Sequence, residues 1–143
     1  MRLIMSARIK WVENVMFVAE SETGHAIVLD GATEGGGRNM GMKPMELMAI
    51  GVGSCSSYDV VTILKKARQV ISSCEAEVTS KRVDTVPSVF ESIHLHFKLS
   101  GKNLSHKQVE RAVSLSADKY CSASLMLQNA GVKVTHDFEI IED

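Results

Sequence analysis

Two runs of small residues, Gly51-Val-Gly-Ser-Cys-Ser-Ser57 and Tyr120-Cys-Ser-Ala-Ser124, fall in the middle of the two longest helical patterns of this chain, and each holds a cysteine. Small side chains let helices approach closely. Cysteines on facing sides could then reach disulfide distance, with Cα atoms about 4.4–6.8 Å apart. Thiol redox chemistry is therefore the first function to weigh. The competing reading is two small core residues, because free cysteine is among the most buried residue types.

The first helical pattern opens at Pro44, a residue suited to the first helical position. It runs to about Arg68, with Leu47, Met48, Val52, Val60, Ile63 and Leu64 recurring at spacings of three and four. Gly51 and Gly53 each cost such a helix about 1 kcal/mol relative to alanine. That cost suggests close packing at both. The second pattern starts with Ser105 as N-cap and Gln108 three residues on, a capping box. It is predicted to run unbroken to about Ala130 and to end at Gly131. On that helix Cys121 shares a face with Ala117 and Leu125.

Strands fill the rest. Arg8 to Val12 and Val15 to Glu20 flank Glu13-Asn14 as a hairpin, and Ala26 to Leu29 follows a turn at Ser21-Glu-Thr-Gly24. The stretch from Gly31 to Lys43 holds five glycines and is expected to be a mobile loop. No Gly-Lys-Ser/Thr follows it, so a phosphate loop does not fit. Glu75 to Lys81 alternates weakly. Val89 to Leu99 alternates clearly, with Ile93, Leu95, Phe97 and Leu99 on one face and His94, His96 and Lys98 on the other. Val132, Val134, Phe138 and Ile140 mark a last strand. The order gives an α+β fold with a largely antiparallel sheet and two helices of more than 20 residues.

A chain of 143 residues is expected to form one domain, residues 1–143, that needs no disulfide to hold it. A net charge of -1 with no basic run gives no nucleic-acid signal. The longest uncharged stretch, Leu47 to Tyr58, is too short to span a bilayer, and Arg2 and Arg8 are followed by no apolar leader. A cytoplasmic location is expected, where thiols stay reduced and a disulfide is more often catalytic or sensing than structural. Cys74 lacks a small-residue helix and reads as structural. His94 and His96 lack a third metal ligand, His136 falls on an apolar register, and His25 and His106 belong to turns. No metal or cofactor is expected.

The segment Lys43-Pro-Met-Glu-Leu-Met-Ala-Ile-Gly-Val-Gly-Ser-Cys-Ser-Ser-Tyr-Asp-Val-Val61 resembles the proline-to-cysteine helix of the OsmC/Ohr family, in its YhfA-like branch, and Lys119-Tyr-Cys-Ser-Ala-Ser124 resembles that family's second cysteine motif. The resemblance covers nearly the whole chain. It implies an OsmC-like fold, with antiparallel sheets packed around two long central helices in an intertwined homodimer. It also implies a peroxidase for organic hydroperoxides without metal or prosthetic group. Cys55 would match the thiol that attacks peroxide and becomes a sulfenic acid. Cys121 would match the one that resolves it to a disulfide, which a dithiol reductant then resets.

Two features of the hydroperoxidase branch differ here. Its Gly-Gly-Arg-Asp-Gly motif is missing, and Gly36-Gly37-Arg38-Asn39, though similar, falls too near Cys55 to match by position. Its helix-starting proline is followed at once by glutamate, whereas here Met45 intervenes before Glu46. Nine residues on a helix place Glu46 about 180° around from Cys55, so it reaches the thiol only across a dimer or a break. The candidate site is Cys55, Cys121, Glu46 and Arg38, with Arg38 or Arg8 of either subunit expected near Cys55. The rival readings are a weakly active or non-catalytic dimer that binds a small apolar ligand, and a redox sensor whose thiol pair toggles.

Overall fold

Two turn signals in the first thirty residues fold the chain into a three-stranded antiparallel meander in the computed structural model, which describes residues 3–142. Met1, Arg2 and Asp143 lie outside the described residues, and with Arg2 part of the reading of the N-terminus. Strand β1 (Ala7–Glu13) pairs with β2 (Met16–Ser21), and β2 pairs with β3 (Ala26–Leu29). The β1–β2 turn uses Asn14 at φ 50°, a left-handed conformation that asparagine tolerates. Registers Ile9↔Ala19, Trp11↔Phe17, Phe17↔Leu29 and Ala19↔Ile27 gather the apolar residues on one face. The chain divides into two compact units, one through Met48 and one from Ala49. In the first, among the described residues, Leu29 and Asp30 alone are buried.

The glycine-rich segment is organised by Asp30. Its carboxylate accepts hydrogen bonds from the backbone N–H groups of Gly31 at 2.8 Å, Arg38 at 3.1 Å and Met40 at 3.1 Å. These donors, Met40 foremost, hold the carboxyl below the usual aspartate range. A 3-10 turn spans Thr33–Gly35, and a Cβ on Gly37 would meet the Gly31 carbonyl oxygen at 1.9 Å. Instead of an unstructured loop, the segment is a folded turn that uses glycine for close backbone approach.

Helix α1 (Pro44–Lys66) is continuous. By length and composition alone it could cross a bilayer, but Val52, Gly53, Ser56, Val60 and Leu64 form one buried face of it. A Cβ on Gly53 would meet Val78 Cγ2 at 2.6 Å, so glycine there permits close approach to the following sheet. Gly51 has nothing within 4 Å, contrary to the expectation of close packing at both glycines.

The second sheet has the order β4–β5–β6, with β4 (Val70–Arg82), β5 (Phe90–Lys102) and β6 (Lys133–Glu142). Central β5 follows its alternation, and Ile93, Leu95, Phe97 and Leu99 are fully buried. The β4–β5 pair is antiparallel, but β5–β6 is parallel. The antiparallel expectation fails there because the intervening helices return the chain to the starting end of the sheet, as a parallel connection requires.

The second helix is also not continuous. Helix α2 (His106–Leu115) is capped by Ser105, whose side chain accepts from the Gln108 N–H. A π-turn (Ser116–Tyr120) follows, and α3 (Ser122–Asn129) begins anew. Two long helices therefore give way to one long helix and a broken pair. The break falls at Cys121, whose backbone is extended at φ -74° and ψ 104° and whose Sγ accepts from the Ser124 N–H at 3.3 Å. Cys121 is an N-cap, not a mid-helix residue in register with Ala117 and Leu125. Gly131, at φ 96°, ends the helix as expected.

Candidate thiol site

The π-turn exists because Ser116 is fastened to α1. Its hydroxyl donates to the Ser56 carbonyl at 3.0 Å and lies 2.8 Å from Ser56 Oγ. Both serines are fully buried. The turn then closes by Cys121 N–H donating to the Ser116 carbonyl at 2.8 Å, while Ser124 Oγ and Gln128 Nε2 donate to the Ala117 carbonyl. An unbroken helix would carry residue 121 onward along its axis. The widened turn instead sets it against α1, a common use of π-bulges at functional sites.

Cys55 Sγ, Cys121 Sγ and a carboxylate oxygen of Asp59 all lie within 4.8 Å of one another. Residues 66 apart in sequence thus meet through the serine clasp. Both thiols are free, Cys55 half-buried and Cys121 fully buried. The Cys121 thiol is pushed up to about 11, chiefly by burial, with its hydrogen bond to Cys55 and the charges of Cys55 and Asp59 adding to the rise and the Ser124 N–H opposing it. No cation is among these influences. Asp59 is raised by burial, which outweighs a hydrogen bond from Ser116 at 3.4 Å. The three donors are types that suit a thiophilic cation, provided both thiols lose their protons.

Asp59 also lines an open cleft of about 710 Å³ together with Tyr58, Ile63, Lys66, Arg111, Leu115 and Tyr120. The sequence gives no sign of this cleft or of the Ser56–Ser116 clasp, whereas it does place Asp59 on the face of α1 that carries Cys55. The usable signal for Asp59 was its position one turn after Cys55 on a helix.

Arg38 and Glu46 belong to the first unit. The Arg38 guanidinium pairs with Glu13 at 3.1 Å. Glu46 accepts from the Lys43 N–H at 3.2 Å and pairs with Lys43 Nζ at 3.5 Å, closing the start of α1. Cys74 is half-buried on β4 opposite Leu99, and burial raises its thiol, as suits a packing residue. His94 and His96 spend their ring nitrogens on β6: His94 on Thr135 at 2.6 Å and Asp137 at 3.0 Å, His96 on Asp137 at 2.6 Å and Glu139 at 3.3 Å. His136 shares a small cavity with His106, Glu110 and Phe138.

The family model for OsmC-like protein matches residues 35–137. Protein YhfA of Escherichia coli strain K12 is 46% identical over 140 residues, spanning 96% of this chain and 98% of its own. A solved hypothetical protein from Aquifex aeolicus is 28% identical, with a TM-score of 0.81 over 98% of this chain and 99% of the other. An organic hydroperoxide resistance protein OsmC from Legionella pneumophila shares the fold, with a TM-score of 0.73 over 95% and 96% of the two chains at 17% identity.

Proposed function

This chain belongs to the OsmC-like protein family, and on that premise we propose that it is a thiol-dependent peroxidase that reduces organic hydroperoxides in oxidative-stress defence. The observation that carries this reading is the approach of the Cys55 and Cys121 sulfurs, through a break in a helix, to within 4.8 Å. A disulfide needs only modest motion from that separation. The half-buried Cys55 attacks the peroxide, and the buried Cys121 resolves the resulting sulfenic acid. A dithiol reductant restores both thiols by exchange. The cleft beside Asp59 combines Ile63, Leu115 and two tyrosines with the charged Lys66 and Arg111, a lining that suits the apolar body and polar head of a small hydroperoxide.

The working unit we propose is a homodimer of single OsmC-like domains in the cytoplasm. Support comes from the open apolar face of the first sheet, where Ile9 is 59% and Trp11 66% exposed. Arg38 and Glu46, from either subunit, remain the candidates to activate Cys55. No membrane or nucleic-acid partner enters this reading.

Consumption of cumene hydroperoxide with dithiothreitol tests it. The wild-type chain should turn over, and Cys55→Ser should abolish consumption. Without dithiothreitol, Cys121→Ser should consume one equivalent of peroxide and stop at a sulfenic acid that dimedone traps. The elevated Cys121 thiol favours a second reading, a slow redox sensor of the same fold. That reading would be selected by reversible disulfide formation with no peroxide turnover.

A further inference from the structure

Asp59 is the residue common to the thiol cluster and the cleft lining. Neither thiol lines that cleft, so Asp59 is the residue by which the cleft and the sulfurs adjoin. The chemistry has proton demands that the two thiols cannot meet by themselves. Attack needs the Cys55 proton removed, the departing alkoxide needs a proton, the Cys121 proton must leave before resolution, and the departing hydroxide needs one too. We propose that Asp59 is the acid–base group of the thiol pair and carries each of these protons in turn. This rests on the peroxidase reading above.

The steps balance. Cys55–SH gives its proton to the Asp59 carboxylate. The thiolate attacks the outer oxygen of ROOH, the O–O bond breaks, and protonated Asp59 donates to the leaving alkoxide, giving Cys55–SOH and ROH. Asp59, now a carboxylate, takes the Cys121 proton. The Cys121 thiolate attacks the sulfenic sulfur, the S–S bond forms, and the displaced hydroxide leaves as water with the proton from Asp59. Two thiols and ROOH become a disulfide, ROH and water, and Asp59 ends as it began.

The surroundings fit a carboxyl that must change state repeatedly. Its hydrogen-bond partner is weak. The single Ser116 proton is held by the nearer Ser56 carbonyl at 3.0 Å, and 3.4 Å to Asp59 exceeds an ordinary O–H···O bond. Burial raises the carboxyl, which eases protonation near the thiols. The ionisable groups around it are Cys55, Tyr58 and Lys66 from α1, Arg111 from α2, Tyr120 from the π-turn and Cys121. Lys66 and Arg111 line the same cleft, but neither is among the influences on the Asp59 carboxyl, which are burial and the Ser116 hydroxyl. Spans up to 4.8 Å require one water or a small side-chain turn for transfer, usual for a site without substrate.

Two measurements on the full chain test this, with Asp59→Asn and Asp59→Glu. Peroxidase assays across pH should show kcat for Asp59→Asn reduced by about 10²-fold or more with little change in KM, in the range general acid–base catalysis supplies. The acidic limb of the pH profile should disappear, and Asp59→Glu should restore part of the rate. Separately, the rate of Cys55 alkylation by iodoacetamide should be followed against pH in a Cys74→Ser, Cys121→Ser background. A thiol that shares a proton with a carboxyl has a pH-independent plateau of reactivity between the two macroscopic titrations. The plateau should vanish in Asp59→Asn, leaving a rate that falls tenfold per pH unit. Identical alkylation profiles with and without Asp59, or an unchanged kcat–pH profile, overturn the role. A wild-type chain that consumes no peroxide but keeps the Asp59-dependent plateau overturns the peroxidase reading and leaves the proton exchange standing.

Discussion

The two three-stranded sheets of this chain have opposite fates. In the second, the apolar residues of β5 are sealed at both ends of the strand, and Ile93, Leu95, Phe97 and Leu99 expose nothing. In the first, β1 is exposed from Ala7 to Glu13, with Ile9 and Trp11 open. Both sheets carry a consistent apolar face, so pattern does not separate them. What separates them is exposure: the apolar face of the second sheet is buried and that of the first is open. Thiols, clasp and cleft all belong to the unit from Ala49 onward. The proposed activators Arg38 and Glu46 belong to the one that leaves its apolar face open.

The largest effect expected from this contrast is at Phe97. Phe97→Ala should cost about 3–5 kcal/mol in urea unfolding, the usual loss for a fully buried aromatic. Trp11→Ala should behave differently. If a second copy covers the first sheet, the substitution should weaken association by about 2 kcal/mol or more, as central aromatic anchors do. Sedimentation velocity at falling concentration would then show monomer at concentrations where the wild type is dimeric. A Trp11→Ala chain with wild-type association would break the contrast, since the open face would then need no cover.

The glycines of α1 give a smaller and sharper test. Gly53→Ala brings a Cβ to 2.6 Å from Val78 and should destabilise by about 1–3 kcal/mol, as overpacking does. Gly51→Ala meets nothing within 4 Å of its own chain and should gain up to about 1 kcal/mol of helix propensity. Thermal melts of both, at low and high protein concentration, check the pair. A gain at Gly51 that reverses where the dimer forms would locate a partner against that side of α1.

Much of this was legible from spacing, and the failures share a cause. Element order, the buried face of β5, the Ser105 cap and Gly131 could be read because each depends on residues within one turn or one strand. The break at Cys121 could not, because it depends on Ser116 bonding Ser56, 60 residues away, while the apolar spacing runs through the break undisturbed. Parallel β5–β6 pairing was hidden for the same reason, since alternation reports which face is buried and not which way a neighbour runs. Asp30 was overlooked because glycine-rich composition suggests mobility, and one carboxylate with three backbone donors overrides it. The approach of the two thiols was readable from small residues alone. Asp59 beside them was visible one turn on, but its chemistry depends on burial that sequence does not print.

The smallest expected effect concerns the solvent face of the second sheet, where His96 is held by Asp137 and Glu139 on β6. The hydrogen bond to Asp137, then that to Glu139, raises His96 above its ordinary 6.5. His96, in turn, is the leading reason Asp137 is lowered below 3.8. A raised histidine stabilises the fold fully below its unfolded value, and the contribution is lost as pH rises through the folded one. A lowered carboxylate does the reverse, contributing above its unfolded value and failing as pH falls through the folded one. The pair therefore helps most between 3.8 and 6.5, and its help fades on the alkaline side as His96 loses its proton. His96→Gln should lower the melting temperature slightly at about pH 5.5 and less at about pH 8.5, on the alkaline side where the contribution of the protonated histidine is fading. Because this face lies away from β5's buried side chains, the same substitution should leave peroxide consumption unchanged at both pH values. A loss of activity with His96→Gln would instead tie the exposed face of the well-covered unit to the thiols, and the division between a structural sheet and a chemical clasp would have to be redrawn.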